Sequence, residues 1–322
     1  MRRSSYLASL ATMSLLVGFG FQLPADPLDI STPAPYTISV DVGLVVLPVV
    51  VTDHLGRPVT GLAQANFRVF DDGRPQSISL FKAEDVPVTV GLVVDNSGSM
   101  WPKRPEVLAA ADEFVKSSNP HDQMFVVNFN QNVSMGLPQG VPFTSSTEEL
   151  REALSRGPLS GNTALYDGLE AALKHVKKGT TDRKALIVIS DGGDNSSHTS
   201  FPALLEMAQA SSAQIYTIGI YDASYKGEDL NVLSQLAKVT GGKAYFPRSS
   251  AQITGVCQQI AKELRQQYTI GYHPGGGIVT AGYHAVRVTA KAAGDGRLHV
   301  STRAGYLMPS NYQPAPAPDK AT

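Results

Sequence analysis

One cysteine, one tryptophan and charges that nearly cancel leave several protein classes out for this chain of 322 residues. Cys257 has no second cysteine to pair with, which excludes an intrachain disulfide scaffold, and neither a CxxC nor an HExxH spacing offers a zinc site. Lysine and arginine number 27 against 28 acidic residues, with no long run of one sign, so the field that grips a phosphate backbone is missing and nucleic acid is not an expected partner. There is no GxxxxGK[ST] loop, and Gly275-Gly276-Gly277 leads into a strand pattern instead of a helix, so no nucleotide is expected either. A GxSxG nucleophile turn is absent as well: Asp95 and Ser99 flank Ser97, and Ser97 and Trp101 flank Ser99, where glycines belong. What remains is a chain with 42% hydrophobic residues, enough to bury a sizeable core in two domains or one large one.

The first residues read as an address and not as fold. Arg2 and Arg3 precede an apolar stretch at 6–21, and Leu23-Pro24-Ala25 closes it, the layout of a secretory signal over 1–25. A short signal anchor is the alternative, and it is the only membrane contact the sequence suggests. The protein is therefore expected to be exported, to a periplasm, a cell envelope or the medium.

Beyond it, Ile38, Val40, Val42 and Leu44 alternate with polar residues, the period of a half-buried strand, and the apolar run VVLPVVV follows. Pro48 within that run predicts an edge or bulged strand, because proline cannot donate to a ladder. Phe67, Val69 and Phe70, then the turn DDGRP, then Ile78 and Leu80 predict a hairpin. From Val88 the pattern becomes alternating β and α: strands at 88–94, 124–129, 185–190, 214–220 and 243–246, with a helix from Ala164 and another carrying Ile253, Val256, Ile260 and Leu264. After Gln267 strands return at 268–273, 283–290 and 297–303, with a turn at 294–296, and the proline-rich stretch 309–322 is expected to be a solvated tail. The fold class implied is α/β, a doubly wound and mostly parallel sheet over 86–265, inserted in or flanked by a small all-β, sandwich-like domain made of 37–85 and 266–308.

Chemistry gathers at the carboxyl ends of the strands, where doubly wound sheets bind ligands. Asp95-Asn96-Ser97-Gly98-Ser99 ends the first α/β strand, Asp191 ends ALIVIS, and Thr163 stands at the opening of the strongest helix. Two carboxylates and three hydroxyls of this kind suit a hard divalent cation, Mg2+ first and Mn2+ or Ca2+ next. DxSxS alone reads sooner as a turn with a helix cap, and the signal lies in its combination with Thr163 and Asp191.

The order DxSxS, then TALYDGL, then ISDG resembles the von Willebrand factor A domain with its metal-ion-dependent adhesion site. The flanks GRPVTGL, NFRVFDDGRPQ, QYTIGYHP and RAGYL resemble those of acidobacterial-type VWFA-related proteins. That resemblance implies a Rossmann-like domain in which Ser97 and Ser99 hold the metal directly, Thr163 directly or through water, and Asp95 and Asp191 mainly through waters. Neutral hydroxyls next to the ion leave it electrophilic, so the partner implied is a protein presenting Asp or Glu, and the protein is implied to be a binding module and not an enzyme. A metal-dependent hydrolase and a passive envelope scaffold with a structural metal are the alternatives. Asp194 and Asn195 read as a polar loop, Asp167 as a first-turn acid or a support of the site, Cys257 as a core residue, and Trp101 either as a rim contact or as cover for the sheet's edge.

Overall fold

β-Branched and aromatic residues run through the strands here, several of which near the chain ends alternate between buried and exposed residues while those in the middle are buried on both faces. The structure is a computed structural model that describes residues 43–83, 85–220, 228–275, 281–292 and 297–308. The expected signal, the start of the first alternating strand, the glycine run after Gly275, the turn at 294–296 and the tail lie outside the described residues.

Four strands precede the central unit: β1 (Val45–Thr52), β2 (Phe67–Asp71), β3 (Arg74–Gln76) and β4 (Ile78–Lys82). The central unit runs β5 (Val88–Asp95), α1 (Arg104–Ser117), β6 (Gln123–Phe129), β7 (Val133–Met135), α2 (Thr147–Ser155), α3 (Leu165–Val176), β8 (Arg183–Ser190), α4 (Phe201–Ala210), β9 (Gln214–Gly219), α5 (Glu228–Thr240), β10 (Ala244–Tyr245) and α6 (Ser250–Arg265). Four more strands follow: β11 (Tyr268–Tyr272), β12 (Gly282–Ala290), β13 (His299–Ser301) and β14 (Gly305–Met308).

The central six-stranded sheet has the order β10-β9-β8-β5-β6-β7 and is parallel except for β7, which pairs antiparallel with β6 at one edge. Every residue of β5 is buried, as expected for a strand covered by helices on both faces. Leu165, Leu169, Ala172, Leu173 and Val176 of α3 share one buried face at helical spacing, and Val107, Ala110, Ala111 and Phe114 do the same on α1.

The outer strands form a sandwich of two four-stranded sheets, β13-β1-β11-β4 and β14-β12-β2-β3, each drawing on both ends of the chain. Leu47, Val49, Phe67, Val69, Tyr268 and Ile270 fill its core, where the rings of Phe67 and Tyr268 lie 5.0 Å apart. The two halves are also tied by polar bonds: Tyr268 donates its hydroxyl to Val59 O (2.9 Å), and Tyr272 and Tyr306 both donate to the buried Asp71 Oδ2 (2.9 and 2.8 Å).

Two strand expectations need correction. The hairpin across DDGRP joins β2 to β3, whereas β4 leaves that sheet and pairs with β11 in the other, because a period-two face can serve either layer of a sandwich. β1 is an inner strand and not an edge. Its neighbours divide it: Val45–Val49 pair with β11 and Val50–Thr52 with β13, so Pro48 falls where the β13 side of the ladder has not begun and its missing N–H breaks no bond there.

The sandwich meets the amino ends of the central strands. Arg183, which opens β8, donates from Nη2 to Gln267 O (3.0 Å) and from Nε to Thr269 Oγ1 (3.2 Å), and Arg265 at the end of α6 pairs with Asp85 at 2.9 Å. The carboxyl ends of β5 and β8 therefore point away from this junction.

Candidate metal site

Asp95 closes β5 with its side chain fully buried. Its carboxylate accepts from Ser97 N–H (2.8 Å) and from Ser190 Oγ (2.6 Å), the residue just before Asp191. Both donors are neutral. Burial raises the Asp95 pKa from 3.8 to about 6; the bonds from Ser190 and Ser97 oppose this, and the charge of Asp191 adds to it. Ser97 Oγ and Ser99 Oγ lie 3.1 Å apart, so two hydroxyls of the DxSxS segment share one point on the rim.

Main-chain bonds clamp the neighbouring loops onto that segment. Gly98 N–H donates to Gly161 O (3.2 Å), Asn96 N–H to Phe129 O (2.6 Å) and Ala164 N–H to Asn130 O (2.7 Å). Gly161 has φ +88, a conformation that favours glycine, and the space where a Cβ would sit is taken by the Gln131 carboxamide, which itself accepts from Asn162 N–H at 3.0 Å.

Thr163 is drawn in from the other side. Its N–H donates to Asn195 Oδ1 (2.9 Å), and its carbonyl accepts from Asn195 N–H (3.0 Å) and Ser196 N–H (3.1 Å). Those bonds use only the main chain of Thr163, so they do not consume its hydroxyl. They also correct the expected helix start: Ala164 is the N-cap of α3, and Thr163 is locked to the loop after β8 instead of capping the helix. The cap comes from a distance, since Asp194 Oδ2 accepts from Tyr166 N–H (3.0 Å) and from Ser197 Oγ (2.6 Å).

The structure thus brings the Asp95, Ser97 and Ser99 segment, the Thr163 loop and the Asp191 loop to one rim. It gives Asp194 and Asn195 more than the idle loop role expected of them, since they fix the geometry of Thr163 and α3. Asp167, in the first turn of α3, binds the same loop: it accepts from His198 N–H (2.9 Å) and Thr199 N–H (2.8 Å), and although burial acts to raise its pKa, these bonds hold it down at about 2. Ser190 was not singled out by sequence; a serine directly before a strand-ending aspartate is the signal that could have found it. Trp101 does not cover the sheet, being 66% exposed in the short 3-10 segment that begins after Ser97.

Chemically, the rim offers oxygen donors only, three hydroxyls and two carboxylates, with the most buried carboxylate satisfied by neutral donors. Such a set fits a hard divalent cation and fits a soft or nitrogen-seeking metal poorly.

Comparison with known proteins accords with this architecture. The family model for the von Willebrand factor type A domain matches residues 89–259, more than half of the chain. The chain belongs to that family. An uncharacterized protein of Borreliella burgdorferi is 24% identical to this VWFA protein over 168 residues, covering 46% of this chain and 48% of the relative, so the chain spans about half the length of the curated relative it matches. Among solved structures, a von Willebrand factor type A protein from Catenulispora acidiphila is 14% identical, with 84% of this chain and 74% of that one covered at a TM-score of 0.48. The vWF domain of the type V pili tip protein Mfa5 from Porphyromonas gingivalis is 16% identical, covering 56% of this chain and 97% of that one at a TM-score of 0.46.

Proposed function

We propose that this VWFA protein is an exported, non-enzymatic binding module that engages an Asp or Glu side chain of a protein partner through a divalent ion, Mg2+ before Mn2+ or Ca2+, held at Asp95, Ser97, Ser99, Thr163 and Asp191. The observation that carries the proposal is the pairing of a fully buried carboxylate with neutral donors only, beside two serine hydroxyls 3.1 Å apart. A bound divalent ion supplies an electrophilic coordination position for an anionic oxygen.

The rest is the work of this chain's own residues. Ser97 and Ser99 offer uncharged lone pairs, which leave the charge of a cation largely unquenched. Asp95, held by Ser190, keeps its negative charge at a fixed point behind them. Asn195 holds the Thr163 loop, so the rim is set before a partner arrives. A catalytic reading finds less support. Ser97 Oγ pairs with another hydroxyl, and the bonds of His175, His198 and His284 run to Pro142 O, Asp167 and Asp72 and not to Ser97. Export is proposed from residues 1–25; among the described residues no helix is long and apolar enough to cross a membrane.

The test is capture from an envelope extract by the full chain, with Mg2+ or with EDTA. Asp95→Ala or chelation is expected to abolish capture while the circular dichroism spectrum stays that of a folded protein. Capture that persists undiminished in EDTA would defeat the proposal, and metal-dependent turnover of a model ester that is lost in Ser97→Ala would point to a hydrolase.

A further inference from the structure

At the opposite end of the central sheet lies a second feature, independent of the metal rim. The last described segment of the chain changes sheets within a few residues: 299–301 pair with β1, 305–308 pair with β12, and 302–304 cross from one layer of the sandwich to the other. Val286 N–H donates to Ala304 O (2.9 Å) and Thr302 Oγ1 to Pro48 O (2.9 Å), which pins the crossing at both sides. The turn after α5 closes against it. A Cβ on Gly241, whose φ is +81, would overlap the backbone of Thr302 and Arg303, and one on Gly242 would overlap the backbone of Ile215. Only glycine permits so close an approach, and it leaves a cleft of about 370 Å³ between α5 and the crossing, within the range of about 300–1,000 Å³ typical of small-molecule sites.

The lining of this cleft is one-sided in charge. Lys238, Arg287 and Arg303 line it and no Asp or Glu does. Among the described residues none of the three forms an ion pair. The Arg287 guanidinium lies 4.0 Å over the Phe70 ring, and Arg303 donates from Nε to Gly305 O (2.7 Å) and from Nη2 to Gln209 O (2.5 Å), both neutral acceptors. Burial lowers the Arg303 pKa; Tyr283 and Tyr272 act the other way, and no carboxylate does. Partly buried guanidinium groups are ordinarily paired with an anion, and this one has carbonyls alone. Val286, Val288 and Val300 supply an apolar wall beside the cations.

We propose that this cleft binds a small organic anion, its carboxylate or phosphate group held between Lys238 and Arg303 and its apolar body against the valines. The test titrates benzoate and phenyl phosphate, with benzyl alcohol as the neutral control, into the full chain in EDTA so that the metal rim takes no part. Millimolar or tighter binding of either acid, and none of the alcohol, is expected, with amide shifts centred on Gly241, Gly242 and Ser301. The acid that binds more tightly shows which head group, carboxylate or phosphate, the cleft prefers. Lys238→Glu, on an exposed position of α5, is expected to weaken binding by about tenfold or more, equivalent to about 1.4 kcal/mol, while Lys177→Glu, the same charge change outside the cleft, leaves it unaltered. Absence of binding by both acids at millimolar concentration, equal affinity in the two variants, or shifts centred elsewhere would overturn the proposal.

Discussion

Asp95→Asn tests the electrostatics of the rim without requiring a partner. The Asp95 side chain is 0% exposed, and its pKa stands at about 6 against 3.8 for the unsheltered group, burial being the main cause. A carboxyl whose folded pKa is raised holds its proton more tightly in the folded state. Between about pH 4 and pH 6 the folded protein therefore binds more protons than the unfolded chain, and stability falls as pH rises through that window. A difference of about 2 units, at about 1.4 kcal/mol each, removes about 3 kcal/mol above pH 6 when no cation is present. Asparagine abolishes the ionisation, but its single oxygen can accept from Ser190 Oγ or from Ser97 N–H and not from both, which costs about 1 kcal/mol. The net expectation in EDTA at pH 7.5 is a variant more stable by about 2 kcal/mol, or about 3 °C in Tm for a chain of this size. At pH 4 the gain should be gone. Calorimetry at pH 4, 5.5 and 7.5 measures this directly, and added Mg2+ should raise the Tm of the original protein while leaving that of the variant where it is. An asparagine variant no more stable than the original at pH 7.5, or a gain that does not change with pH, refutes the reasoning.

Asp194→Ala removes the acceptor for Tyr166 N–H and Ser197 Oγ; loss of a helix cap costs about 0.5–2 kcal/mol. Its Tm should drop by about 1–3 °C and its Mg2+ affinity should weaken, because Thr163 stands on the same loop junction; a calorimetric trace that superimposes on that of the original protein would rule out the cap. Gly91→Ala would place a Cβ against the Phe125 ring and Leu186 Cδ2 in the middle of β5. Overpacking of this kind costs about 1–3 kcal/mol, and adding Phe125→Leu should recover part of the loss in a urea titration, whereas additive losses would show that the two sites do not touch.

What could be read in the sequence was whatever depends on neighbours in the chain. β5 and β8 were visible as apolar runs because a strand buried on both faces needs no alternation, and α3 was visible because its buried residues recur at helical spacing. α1 escaped because its buried face includes Arg104 and two alanines and its first turn is Arg-Pro-Glu, which weakens the apolar stripe. β4 was legible as a strand but not as a member of the other sheet, since its partner β11 lies far along the chain. The rim shows the same division. Asp95, Ser97 and Ser99 could be singled out by spacing within five residues, while the bonds of Asp194 and Asn195 to α3 and Thr163 span about thirty residues and leave no local trace.

The two proposed sites are kept apart by the way the chain is threaded. The central unit leaves the sandwich at Val88 and returns to it at Tyr268, and Arg183, Gln267 and Thr269 tie the junction at the amino ends of the strands. Asp95 ends the strand that Val88 begins, and at about 3.3 Å per residue it lies about 23 Å beyond the junction. A partner approaching the metal rim therefore meets the loops after β5 and β8 and the exposed Trp101, with the sandwich behind the sheet. The cationic cleft, built from the turn before β10 and the crossing between β13 and β14, belongs to the junction itself. Chelation should silence the rim without touching the cleft, and Lys238→Glu should do the reverse. Were each to disable both, the two ends of the sheet would have to be energetically coupled through the strands that separate them.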